Sequence, residues 1–206
     1  TSEIEAMVAH YQRAASICRA AGFEGVEPHG AHGYLLNQFF SPVQNCRQDG
    51  YGGTPEGRMR LACEIVEATR AGLGDESLLL YRHTPIGAGY GLPESLELAR
   101  RLVARGVDVL DLSPSSIESP GDLAAPFRAL GVPVIAVNRL NIVERALEAL
   151  ALGRTDLVAV GRGLIADPDW PRKVREGRQA EIVECIECDG CHVDLVAGRP
   201  VNCTQW

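Results

Sequence analysis

Short apolar runs alternate with amphipathic ones along most of this chain, and that alternation restricts its fold more than any other feature. Runs fit for strands occur at residues 24–28, 78–82, 108–112, 133–137 and 157–160. Between them the spacing predicts helices over residues 54–72, 93–105, 122–130 and 141–152, with another from Asp167-Pro168 to Gly177. A further helix over residues 2–22 precedes the first strand; Ser2-Glu3-Ile4-Glu5 reads as its capping box and Gly22 as its stop. Thr54-Pro55-Glu56 supplies an N-cap, a proline at N1 and a first-turn acid. Strands and helices in strict alternation make βαβ units and a parallel sheet.

Such a sheet is either open and doubly wound or curled into a barrel. The glycine fingerprint of a dinucleotide fold is missing after the first strand. Polar residues gather instead at C-terminal strand ends, where barrels carry their chemistry: His29, Arg82-His83, Ser113, Asn138-Arg139 and Gly161-Arg162-Gly163. The expected fold class is therefore α/β, the C-terminal portion of a (β/α)8 TIM barrel. Five strands are readable where a closed barrel needs about eight. Residues 1–180 are read as about five βα units of a fragment, lacking roughly three units before Thr1. Residues 181–206 form a separate Cys-rich segment.

Charge and cysteines bound the partners. A net charge of −7 argues against nucleic acid or an anionic membrane. The apolar runs are strand-sized, too short to cross a bilayer, and no secretory pattern is visible. Three of the seven cysteines are scattered, and four crowd the end: Cys185, Cys188, Cys191 and Cys203. Reduced thiols in a cytoplasmic protein, four of them metal ligands, explain this better than a disulfide framework. The C-x2-C-x2-C run with a fourth cysteine beyond suits a [4Fe–4S] cluster; zinc and free thiols are the alternatives.

The other candidates cluster after the first strand. His29 and His32 could hold a substrate oxygen or a metal. Glu27, the nearest carboxylate, is expected on the opposite strand face. Tyr34 could deliver a proton or simply pack beside Leu35 and Leu36. Arg82 ends a leucine-rich strand and is directed to the barrel mouth, with a surface ion pair as the alternative. The loop of Arg47, Asp49 and Tyr51-Gly52-Gly53 reads as structural.

HGAHGYLLNQFFSPVQNCRQDGYGGTPEGRMR resembles the signature of the old yellow enzyme superfamily of FMN-dependent NADH:flavin oxidoreductases. GRTDLVAVGRGLIADPDWPRKVREGR resembles that family's phosphate-binding end. CIECDGC with GRPVNCTQ resembles its iron–sulfur subgroup, which includes 2,4-dienoyl-CoA reductase and trimethylamine dehydrogenase. The resemblance implies that His29 and His32 hold the electron-withdrawing group of a small-molecule substrate, and that Tyr34 protonates the α-carbon. It implies Arg82 at the flavin's pyrimidine edge, and Asn138, Arg139, Gly161 and Arg162 around the FMN phosphate. Cys185, Cys188, Cys191 and Cys203 would hold the cluster. Asn138-Arg139 replaces a Gly-Gly common in the family, and Gly57 replaces an Asn. The expected activity is hydride transfer from NAD(P)H-reduced FMN to an activated C=C. Amine oxidation of the trimethylamine dehydrogenase type and a non-catalytic module are the alternatives. FAD in a downstream domain and a homo-oligomer are further expectations.

Overall fold

A computed structural model describes residues 2–116 and 122–206. Helix α1 (Ser2–Ala20) comes first. Ser2, the first described residue, is already helical rather than the N-cap expected of it. The helix C-terminus closes as the sequence suggests. Gly22 turns left-handed, Gly22 N–H donates to Arg19 O and Phe23 N–H to Cys18 O.

Strands β1 (Gly25–Val26) and β2 (His29–Gly30) keep one register against β3 (Leu78–His83). They are a single strand interrupted where Pro28 has no N–H to give, although Arg82 N–H still donates to Pro28 O at 3.2 Å. The strand therefore reaches Gly30 rather than stopping at Pro28. Beyond it a short helix, α2 (Leu35–Phe40), occupies what the sequence suggested was loop. Six residues are too few to display a helical period. Helix α3 (Pro55–Leu73) starts as expected, Thr54 Oγ1 accepting from Gly57 N–H at 3.1 Å.

After β3 come α4 (Leu92–Val103), β4 (Val109–Leu112), β5 (Val134–Ala136), α5 (Val143–Ala151) and β6 (Leu157–Val158). The helix expected over residues 122–130 is instead a 3-10 turn, Ala125–Leu130, with Pro126 in its first turn and the left-handed Gly131 closing it. The single helix expected after Asp167 is preceded by another: α6 (Arg162–Ala166) ends at Asp167, and α7 (Trp170–Arg175) follows. A last helix, α8 (Gly190–Val196), lies within the Cys-rich segment.

All pairings are parallel, and the strands lie side by side in chain order. That order is an arc compatible with part of a barrel, and it contrasts with the reversal of a doubly wound sheet. Alternation along the strands sets two faces. Leu79, Tyr81, Leu110, Leu112, Val134 and Ala136 are buried in the core, together with Leu61, Ile65, Leu98 and Leu102 from the helices. The other face carries His29, Arg82 and Asp111 on one rung of the register. Two apolar residues at the ends of strands on this face, Leu78 and Leu157, remain 52% and 50% exposed. Among the described residues no helix is long and apolar enough to cross a membrane.

Candidate functional site

The imidazoles are set by a strand and the turn that ends it. His29 occupies the last rungs of the first strand, and His32 takes a left-handed backbone, φ 58°. Asn37 fixes that turn from within α2, its Oδ1 accepting from Gly33 N–H at 2.9 Å. Its Nδ2 donates to Tyr90 Oη at 2.7 Å, and Tyr90 Oη donates to Thr84 O at 3.1 Å. The His29 ring stands 5.3 Å from both the His32 ring and the Tyr34 ring, centroid to centroid. Tyr34 is 63% exposed, so it is not the packed core tyrosine of the alternative reading.

Behind the imidazoles lies a connected polar network. Arg82 Nη1 donates to Asp111 Oδ2 at 2.8 Å, and Arg82 Nη2 donates to Ser113 Oγ at 3.0 Å. Ser113 Oγ is 2.8 Å from His32 Nε2. Thr84 Oγ1 accepts from His32 N–H and donates to Ser113 O. Arg82 therefore pairs with an acid that is only 4% exposed, not with a surface carboxylate. Glu27 corrects the expectation made for it. Residues two apart on a strand share a face, and Glu27 lies within electrostatic reach of Asp111 and Arg82. His83 departs from the rim altogether: it packs between Phe40 and Tyr90 and bonds Ser95 Oγ at 2.9 Å.

Electrostatics keeps the imidazoles neutral. Burial first, and then the Arg82 charge, lower the pKa of both His29 and His32. The acids move the other way. Burial raises Glu27, with Asp111 adding to the effect and Arg82 opposing it. Burial also raises Asp111 against the pull of Arg82. The rim thus offers two neutral N–H donors, a phenol and a fixed guanidinium, a set suited to an acceptor oxygen that gains negative charge.

The second group of expected residues sits at the ends of β5 and β6. Asn138 and Arg139 both have positive φ, 98° and 55°, and Gly161 opens α6. Their cations are not free. Arg162 Nη1 donates to Asp189 Oδ1 at 2.6 Å, and Arg139 Nη2 lies 3.4 Å from Glu187 Oε2. Both acids interleave with the cysteines, and no local pattern signals these pairs, which span 27 and 48 residues. Asp111 was also missed, although the two-residue period from Ser113 would have put it on the same face.

Cys185, Cys188, Cys191 and Cys203 line one small cavity of about 20 Å³ with Arg162 and Ile165. Cys188 Sγ is 3.2 Å from Thr204 Oγ1, a contact that, with the Gly190 amide, lowers its pKa. Among the described residues no three His, Cys, Asp or Glu side chains stand close enough to form a ready metal site. The donor set nonetheless suits a thiolate-held iron–sulfur cluster: four free thiols around one cavity. An isoalloxazine edge, which carries both acceptors and an N–H, suits the Arg82 guanidinium beside the buried Asp111 Oδ1, which has no hydrogen-bond partner.

Comparison with known proteins agrees with these features. An NADH oxidase of Thermoanaerobacter brockii is 40% identical over 209 residues, covering 92% of this chain and 32% of that protein. A cinnamate reductase of Clostridium sporogenes is 31% identical over 98% of this chain and 36% of its own length. The solved 2-naphthoyl-CoA reductase, in complex with 2-naphthoyl-CoA, superposes with a TM-score of 0.90 at 31% identity, over 99% of this chain and 34% of that one. The chain thus spans about a third of the length of these three proteins. The pattern that defines the NADH:flavin oxidoreductase / NADH oxidase family matches residues 1–112 and 114–181, and the chain belongs to that family.

Proposed function

We propose that this chain is the substrate-activating part of an FMN-dependent oxidoreductase that reduces the activated C=C of an enone or enoyl thioester at the expense of NAD(P)H. The observation that carries the reading is the convergence of His29, His32, Tyr34 and Arg82 at one strand-end rim. When bound, FMN would supply the hydride and a [4Fe–4S] cluster would relay electrons. The protein's own residues do the rest. His29 and His32 donate N–H groups to the acceptor oxygen and stabilise the charge that grows there. Tyr34 gives its phenolic proton to the adjacent carbon. Arg82 favours an anionic ring edge, Asn138, Arg139, Gly161 and Arg162 receive the phosphate, and Cys185, Cys188, Cys191 and Cys203 ligate iron. In the whole protein, further strands would close the barrel, and a downstream FAD domain would feed the cluster.

The names of two relatives support the substrate class, one a cinnamate reductase and one a naphthoyl-CoA reductase. Amine oxidation is disfavoured by the local field: a cationic amine would meet Arg82 and two donor imidazoles. Tyr34→Phe tests the reading by its half-reactions. Enone reduction is expected to slow by about a hundredfold, within the range for a lost general acid, while flavin reduction by NAD(P)H changes little. Equal losses in both half-reactions would remove Tyr34 as the acid.

A further inference from the structure

Ser113 is a buried hydroxyl with two neighbours that constrain its single hydrogen. It is 4% exposed, and its Oγ lies 3.0 Å from Arg82 Nη2 and 2.8 Å from His32 Nε2. A guanidinium only donates, so Arg82 takes one Ser113 lone pair. If His32 carried its proton on Nε2, it would donate to the same oxygen. The hydroxyl hydrogen would then be left without an acceptor among the described residues, in a place where water does not compensate it. If Ser113 Oγ–H instead donates to Nε2, every group is satisfied and the His32 proton resides on Nδ1.

The surroundings hold this arrangement in place. Asp111, also 4% exposed, fixes Arg82 at 2.8 Å from the neighbouring strand. Thr84 Oγ1 ties the His32 amide, at 3.0 Å, to the Ser113 carbonyl, at 3.1 Å. That carbonyl is the rival acceptor for an Nε2 proton. It lies within reach of the His32 ring and already accepts from Thr84 Oγ1, but the 2.8 Å partner of Nε2 is the Ser113 hydroxyl, whose own hydrogen has no other acceptor among the described residues. The lowered pKa of His32 agrees with a neutral ring that carries one proton.

We propose that Ser113 is a positioning residue that locks His32 in the Nδ1–H tautomer, so that Nδ1 is the donor offered to an acceptor oxygen of the substrate. This rests on the reading of His32 given under Proposed function. It also narrows the substrate: the group bound there must accept, as a carbonyl, thioester or carboxylate oxygen does, and a pure donor such as an amide N–H presented to Nδ1 would be rejected.

The test is ring-nitrogen NMR on the flavin-loaded protein labelled with ¹⁵N-histidine. There are five histidines, and the His32 signals are assigned by their loss in His32→Gln. The wild type is expected to show a protonated Nδ1 and an unprotonated Nε2. Ser113→Ala is expected to shift His32 towards the other tautomer and to lower kcat/KM for a cyclic enone by about tenfold, on the scale of one lost orienting hydrogen bond. Ser113→Thr, which keeps the hydroxyl, is expected to restore both. A wild-type His32 protonated on Nε2, or a signal indifferent to Ser113→Ala, would overturn the proposal. A tautomer that shifts as expected while enone reduction is untouched would uphold the lock and overturn His32 as the group that holds the substrate.

Discussion

Two histidines have opposite surroundings: His32 is turned to the polar network of the rim, whereas His83 is sealed among Phe40, Tyr81 and Tyr90. Burial lowers the His83 pKa to about 4. Below the ordinary value of 6.5, the unfolded chain takes up a proton that the folded chain refuses until about pH 4. Stability is therefore complete above pH 6.5 and falls as pH drops through that window, by up to about 1.4 kcal/mol per pH unit for this one group. His83→Gln keeps a partner for Ser95 and removes the titration. Urea midpoints measured from pH 7 to pH 4 are expected to decline less steeply in the variant, and identical slopes would contradict the assignment. At this scale the sequence made His29, His32, Tyr34 and Arg82 legible, because they share a short span or a strand end. It misplaced Glu27 and His83 because face assignment turns on strand limits: the first strand continues past Pro28, and β3 runs one residue past Arg82, which turns His83 to the opposite face. It missed the acids that meet Arg139 and Arg162, because those pairs are made only by folding the Cys-rich segment back onto two strand ends.

Among the elements, the contact between α1 and α3 depends on the absence of one methyl group. A Cβ on Gly72 would stand 2.1 Å from the Gln12 carbonyl oxygen, and Ser16 Oγ already donates to Gly72 O across the same crossing. Gly72→Ala would gain about 1 kcal/mol of helix propensity in α3. Forcing two backbones apart costs more, about 1–3 kcal/mol, so the net change is expected to destabilise. A urea midpoint above the wild-type value would show that α1 can move aside. Elements with long periods or strong caps were readable beforehand, α3 above all, through Thr54 and Pro55. The short ones were not: α2 and α6 have six and five residues, fewer than two turns, so no apolar stripe can register. The 3-10 turn at Ala125–Leu130 is a further case, a six-residue apolar stretch whose length does not distinguish a tight turn from an α-helix.

For the whole molecule, strand order matters most. Neighbours in chain order bring successive C-terminal ends onto one rim, so His29, Arg82, Ser113, Arg139 and Arg162 share an edge although they span 134 positions of sequence. The arrangement was legible as a class, since alternating elements without a dinucleotide fingerprint leave few other choices. The folding of the Cys-rich segment against Arg139 and Arg162 was not, because nothing in local periodicity encodes it. In the proposed function this one rim would serve a flavin and an iron–sulfur cluster together. Cofactor content of the protein, purified without oxygen from its complete reading frame, tests that most directly. The expected result is FMN, iron and acid-labile sulfide in the proportions of one flavin and one [4Fe–4S] cluster per chain, with the flavin bleached by NADH or NADPH. Stoichiometric zinc without iron, or a protein that retains no flavin, would contradict it.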